Sequence, residues 1–315
     1  MSKSRLDKAA MNFLNQNLDL KKGEVTTIVT DRRSCKIFDA ICRAAELKKA
    51  RLFKAHISDE REHSQPIPYL KKVFRKSKVI IGITDKSISH CPEMSKAIKK
   101  GTRAITMVGV DEKLFLKGMA ADKNKIIKTN EKLYKLLKKT KRVRITTHSG
   151  TDILFKVIKK NIHVDDGDST KKGVLNNFPY GEVFVAPINR AMGMLTIDYS
   201  RVGIKPKDKA TVLISGGKIV DDDGNKKTEN FVKYLEEADG DKALRVVELG
   251  FGTNYLHKDL TENIIHDEKI HGSVHVAFGG FGSKRKSTIH EDVILLKPNV
   301  WFDFILVIKE GKIIV

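Results

Sequence analysis

The first 120 residues alternate between two hydrophobic periods, and this limits the folds open to the chain more than any other feature. Val25 to Thr30 reads as a short buried strand, and Cys35 to Lys48 as an amphipathic helix with Ile37, Phe38, Ile41, Ala44 and Ala45 inward. The alternation recurs: strands at 51–57, 79–83 and 104–108 are separated by helices at 68–75 and 92–100, with a further helix at 112–121. Strands alternating with helices predict a parallel sheet covered on both faces, a doubly wound α/β domain. The first strand-to-helix turn, TDRRSCK at 30–36, has no glycine to admit a pyrophosphate against the backbone, which argues against a dinucleotide site. Arg32 and Arg33 at that helix start are candidates for holding an anion, with plain surface charge as the simpler reading.

A basic stretch from Lys123 to Arg144 follows, with Ile126, Ile127, Leu133, Leu136 and Leu137 as the apolar side of a helix whose charges face solvent. Beyond it the pattern changes to short strands and turns. Runs at 142–147 and 153–158 flank the turn residues HSGTD, a hairpin signal. Further strands are expected at 183–186, 194–197, 211–215, 218–220, 245–249, 274–278, 293–296 and 304–308, with one helix at 229–237. The acidic DDDG at 221–224 lacks the rest of a calcium loop and reads as a hairpin turn. Two domains are therefore expected: residues 1–141, an N-terminal doubly wound α/β domain, and residues 142–315, a β-rich α+β domain that carries the metal-binding residues.

Length and composition fit this division, since 315 residues at 40% hydrophobic content can bury a sizeable core. No run approaches the roughly 20 apolar residues of a membrane span, and the start lacks a signal-peptide core, so a cytoplasmic, non-membrane protein is expected. Cys35, Cys42 and Cys91 show no paired spacing and give neither a disulfide framework nor a zinc-cysteine motif. The formal net charge of +21 would attract polyanions. Lys outnumbers Arg roughly three to one and is scattered, which speaks against specific nucleic-acid binding.

Metal-ligand side chains collect between Glu248 and Asp292. A strand repeats its facing every two residues, so His290 and Asp292, just before the apolar run Val293 to Leu296, project to the same side. His275 sits between Val274 and Val276, shortly before small residues that let the backbone approach something closely. Glu248 ends an apolar strand before a glycine turn, and upstream Glu182 follows a glycine and opens another strand. Imidazoles and carboxylates at strand ends are what a hard-to-borderline divalent cation needs.

The order of these motifs resembles the aminopeptidase T family of metallopeptidases, which are leucyl aminopeptidase-like. The matching segments are Gly150 to Asp152, Pro179 to Phe184, Glu248 to Gly250, His275 to Gly279, and His290 with Asp292. The resemblance implies that Glu182, Glu248, His275, His290 and Asp292 hold two divalent ions, zinc, cobalt or manganese, with Glu182 and Glu248 in the catalytic machinery. It further implies hydrolysis of the N-terminal residue of short peptides by a metal-activated water, and a homodimer. In the nearby segment 264–272, Asp267 or Glu268 would orient a liganding His rather than bind metal. The family's tyrosine after the first His motif has no counterpart, because Phe281 and Gly282 stand there, and the segment between His275 and His290 is short. These departures sharpen an alternative. The fold resemblance extends to the 2,5-dihydroxypyridine dioxygenases, in which two His and one Asp bind a single Fe(II), and His275, His290 and Asp292 would supply that triad.

Overall fold

The chain's alternating periods fold as separate layers. In the computed structural model, which describes residues 4–188, 190–281 and 285–315, the chain forms two compact units. Helix α1 (Arg5–Gln16) opens the first, capped by Ser4, whose hydroxyl accepts the Asp7 amide at 3.1 Å, and it buries Ala9, Ala10, Phe13 and Leu14. Then come β1 (Val25–Thr30), α2 (Lys36–Leu47), β2 (Arg51–His56), α3 (Lys71–Lys76), β3 (Val79–Thr84), α4 (Pro92–Lys99), β4 (Arg103–Val108) and α5 (Glu112–Met119).

The chain continues through α6 (Lys123–Leu137), β5 (Arg142–Thr146), β6 (Asp152–Lys156) and β7 (Ile162–Asp165), and β8 (Leu175–Asn177) then returns to the first unit. There the strand order is β2-β1-β3-β4-β8, and every pairing is parallel. β3 and β4 are buried along their whole length, and β3 accordingly reads as a nearly continuous apolar run while β4 also buries Arg103 and Thr106. Arg32 is not available to an outside anion. Its guanidinium donates to Asp85 at 2.9 and 2.6 Å and to the Val110 carbonyl at 2.7 Å.

The second unit holds β9 (Glu182–Val185), β10 (Ala191–Ile197), β11 (Tyr199–Ser200), β12 (Ala210–Ser215), β13 (Lys218–Asp222), α7 (Lys226–Asp239), β14 (Val246–Gly252), α8 (Ile264–Asp267), β15 (Val274–Phe281), β16 (Arg285–Leu295), β17 (Asn299–Phe302), β18 (Ile305–Lys309) and β19 (Lys312–Ile313). Two sheets form, ordered β13-β12-β10-β6-β5-β17-β18-β19 and β11-β16-β15-β14-β9-β7. Ile145, Phe155, Leu195 and Val212 from the first and Val185, Phe251, Val276 and Val293 from the second share one core, joined by Leu133 and Leu137 of α6 and Phe231 of α7. The fold is therefore a parallel α/β unit and a β-rich α+β unit.

The division falls elsewhere than at residue 141. Residues 124–164 and 181–315 form the second unit, and 165–180 belong with 1–123. α6 joins the second unit because its apolar side packs into that core. The acidic residues 221–224 also differ from expectation: Asp221 and Asp222 end β13, and the chain then turns into α7 through its cap, Asn225. Among the described residues no helix is long and apolar enough to cross a membrane.

Candidate metal centre

The six-stranded sheet sorts its side chains by the two-residue repeat. Val183, Val185, Leu249, Phe251, Val274, Val276, Phe278, Val293 and Leu295 point into the core. Their alternates Glu182, Glu248, His275, His290 and Asp292 therefore share the opposite face, on four neighbouring strands. The registers bring them together, since Gly252 faces Glu182, Gly250 faces His275, Ala277 faces Asp292, and Gly279 faces His290. Small residues at these crossings leave room for the rings. A Cβ built on Gly250 would collide with Cε1 and Nε2 of His275, so the imidazole lies directly over that glycine.

Glu248 is the hub of the cluster. His275 Nε2 lies 3.4 Å from its Oε1, and His290 Nε2 lies 3.9 Å from its Oε2. His275 Nε2 is also 3.4 Å from Glu182 Oε2, and His290 Nε2 is 3.5 Å from Asp292 Oδ2. The Gly280 carbonyl, 2.7 Å from His290 Nδ1, takes that nitrogen's hydrogen and turns the Nε2 lone pair of the neutral ring toward the cluster.

Two residues that the sequence reading left out of the ligand set complete the cluster. Glu268 and Lys269 follow α8, and the Lys269 side chain is fully buried. Its ammonium donates to Glu182 Oε1 and to Glu268 Oε1, both at 2.6 Å. The ligand atoms of Glu182, Glu268 and His275 lie within 4.8 Å of one another, and those of Glu248, His290 and Asp292 do likewise. All five sequence candidates are thus brought together, but His275 falls in one group while His290 and Asp292 fall in the other. Asp267 serves the loop instead, accepting the Thr261 amide at 2.7 Å and its hydroxyl at 2.8 Å. Gly282 lies outside the described residues.

The field of this face favours cations. Burial alone would lower the His275 imidazole, but Glu248, Glu182 and Glu268 outweigh it and raise it to about 9. Burial likewise opposes the His290 charge, which Asp292, Glu248 and the Gly280 carbonyl raise to about 10. Burial pushes the Glu268 carboxyl up despite Lys269. Asp292 is held down by the neighbouring His290, His275 and Lys269 in spite of burial.

The residues fit a divalent ion. Glu182 Oε2, His275 Nδ1 and Asp292 Oδ1 are buried without a hydrogen-bond partner, and the Lys269 ammonium reaches Glu182 and Glu268 but is paired with neither Glu248 nor Asp292. Buried carboxylates left in that state call for a bound cation.

Comparison with known proteins decides between the chemistries. Residues 10–315 match the family described as NicX: 2,5-dihydroxypyridine 5,6-dioxygenase. The chain belongs to this family. Among solved structures, 2,5-dihydroxypyridine dioxygenase from Pseudomonas putida KT2440 is similar at a TM-score of 0.85 and 16% identity, covering 99% of this chain and 98% of that one. Wild-type AmpT from Thermus thermophilus is similar at 0.71 and 14% identity, covering 99% of each. No curated protein sequence matches. Membership of the dioxygenase family overturns the expectation of a metallo-aminopeptidase hydrolysing peptides; the resemblance to aminopeptidase T stands as a likeness of fold.

Proposed function

We propose that this protein is a mononuclear Fe(II) dioxygenase that opens a hydroxylated pyridine ring. The family match across residues 10–315 carries this reading. The two imidazoles and one carboxylate of His275, His290 and Asp292 support it, being the donor set of non-haem iron oxygenases. A ferrous ion there supplies open coordination positions and the electron exchange that lets dioxygen react with a closed-shell ring. For 2,5-dihydroxypyridine the bond between C5 and C6 breaks. Both oxygen atoms of one O2 enter the product, leaving a carboxyl at the former C5 and a formyl group at the former C6 without an external reductant.

The chain's own residues take defined parts. Glu248, between the two imidazoles, accepts the proton of a ring hydroxyl. Lys269 fixes Glu182 and Glu268 and neutralises part of their charge, so the remaining need for a cation falls on the side of His290 and Asp292, with His275 on the adjacent strand as the third donor and Glu248 left free to act as a base. That favours one ion over two.

Metal analysis of protein purified without a chelating tag tests this. About one iron per chain is the expected result, and two zinc, cobalt or manganese ions per chain would contradict it. We extend the reading to a cytoplasmic homodimer; light scattering giving a monomer mass at micromolar concentration would remove that part.

A further inference from the structure

Beside the metal ligands, the same sheet face carries aromatic side chains that the ion does not need. Phe184 lies directly across from Gly250, which on its other side faces His275. Phe281 ends β15, the strand that carries His275. Its ring centroid is 6.4 Å from that of His290 and 6.3 Å from that of Phe184. His163 stacks on Phe184 with centroids 5.0 Å apart and planes 22° apart, and lies 5.9 Å from Phe281. Its Nε2 is 2.9 Å from the Ala186 carbonyl, which requires a hydrogen there and leaves Nδ1 of the neutral ring as an acceptor.

The core-facing aromatics of this unit, Phe155, Phe231, Phe251 and Phe278, are fully buried, whereas Phe184 and Phe281 are half-buried and His163 is exposed. Aromatic faces left open beside a polar, cation-seeking cluster offer a flat apolar surface to whatever sits at the ion.

We propose that Phe184, Phe281 and His163 form the wall that holds the substrate's planar ring beside the metal, and so select a flat heteroaromatic compound. This rests on the dioxygenase reading and deepens it. Phe281 supplies the side next to His290, Phe184 the side next to His275, and His163 an acceptor at the rim for a ring N–H or hydroxyl. No proton or electron moves in this role: the three residues position the ring.

The test is anaerobic calorimetric binding of 2,5-dihydroxypyridine to iron-reconstituted wild type, F184L, F281L and F184Y, with iron content measured for each. A saturated ring diol serves as the non-planar control. Stacking losses of the usual size predict three- to tenfold weaker binding in F184L and F281L at unchanged iron content. Binding should be restored in F184Y, which keeps the ring, and the saturated diol should not bind. Equal affinity in wild type and both leucine variants would overturn the wall while leaving the dioxygenase reading in place. Failure of wild type to bind the planar ring would overturn the wall as well, and oxygen uptake would then decide the dioxygenase reading separately. Should F184L lose iron or fail to fold, F281L and F184Y still decide the matter, since F281L binding like wild type would overturn the role of Phe281.

Discussion

A buried lysine between two carboxylates shows how single side chains set the character of this site. Lys269 has no exposure, and Glu182 and Glu268 each bring an oxygen to 2.6 Å from its ammonium, which offsets the cost of burying the charge. Gly250 is equally constrained for the opposite reason, since what matters is the side chain it lacks. Gly250→Ala should drive the His275 ring off its seat, lowering iron content several-fold and costing about 1–3 kcal/mol of stability. Iron analysis with urea denaturation checks this, and wild-type iron content in the variant would contradict it. Away from the site, Arg103 donates to both oxygens of Glu24 at 2.9 and 2.6 Å. Partial burial pushes the Glu24 carboxyl up, but Arg103 and the Lys21 amide hold it below its ordinary value. Its stabilising contribution is therefore complete above the unfolded carboxyl's pKa and is lost as pH falls through the lower folded value. Glu24→Gln should cost about 1–2 kcal/mol at pH 7, with the difference from wild type closing in the acid range. A constant difference down to the acid transition would count against that assignment.

At the scale of elements, the two-residue repeat does most of the positioning, and it was legible. It placed His290 and Asp292 on one side of β16, while Glu291 between them turns to the other face and meets Arg201 at 2.8 Å. The strand and helix alternation of the first unit was equally readable, because β1, β3 and β4 are short stretches rich in β-branched residues and almost wholly buried. What periodicity could not show are elements defined by distant partners. β8 has three residues and exists because it pairs with β4, far earlier in the chain, so the return of 165–180 to the first unit left no local mark. Lys269 was missed as a member of the cluster, and Glu268 was expected only to orient a histidine, for the same reason. They reach it from the loop after α8, whose course no repeat describes, and the one local signal was the run Asp267-Glu268-Lys269 ahead of His275. β15 gives the element-scale prediction. Phe278, on its core side, packs edge-on against Phe231 with centroids 5.9 Å apart. Phe278→Ala should cost about 3–5 kcal/mol in urea denaturation, and a loss below about 1 kcal/mol would show that this side of the strand is not the core face.

For the whole molecule, a shared architecture does not by itself fix the chemistry. The chain is similar in fold both to a 2,5-dihydroxypyridine dioxygenase and to AmpT, so the likeness of fold alone does not choose a reaction, and the family match carries the choice. The sequence held signals that pointed away from the peptidase, namely Phe281 where a tyrosine stands in that family and the short segment before His290. They carried less weight than the shared order of Glu, His and Asp, because both chemistries draw on the same donor types. The most direct test of ring opening is oxygen consumption by the iron-reconstituted protein given a limiting amount of 2,5-dihydroxypyridine. One O2 taken up per ring, with both its atoms in the open-chain product, is the predicted result. No oxygen uptake, together with release of amino acids from aminoacyl anilides by the zinc or cobalt form, would contradict it.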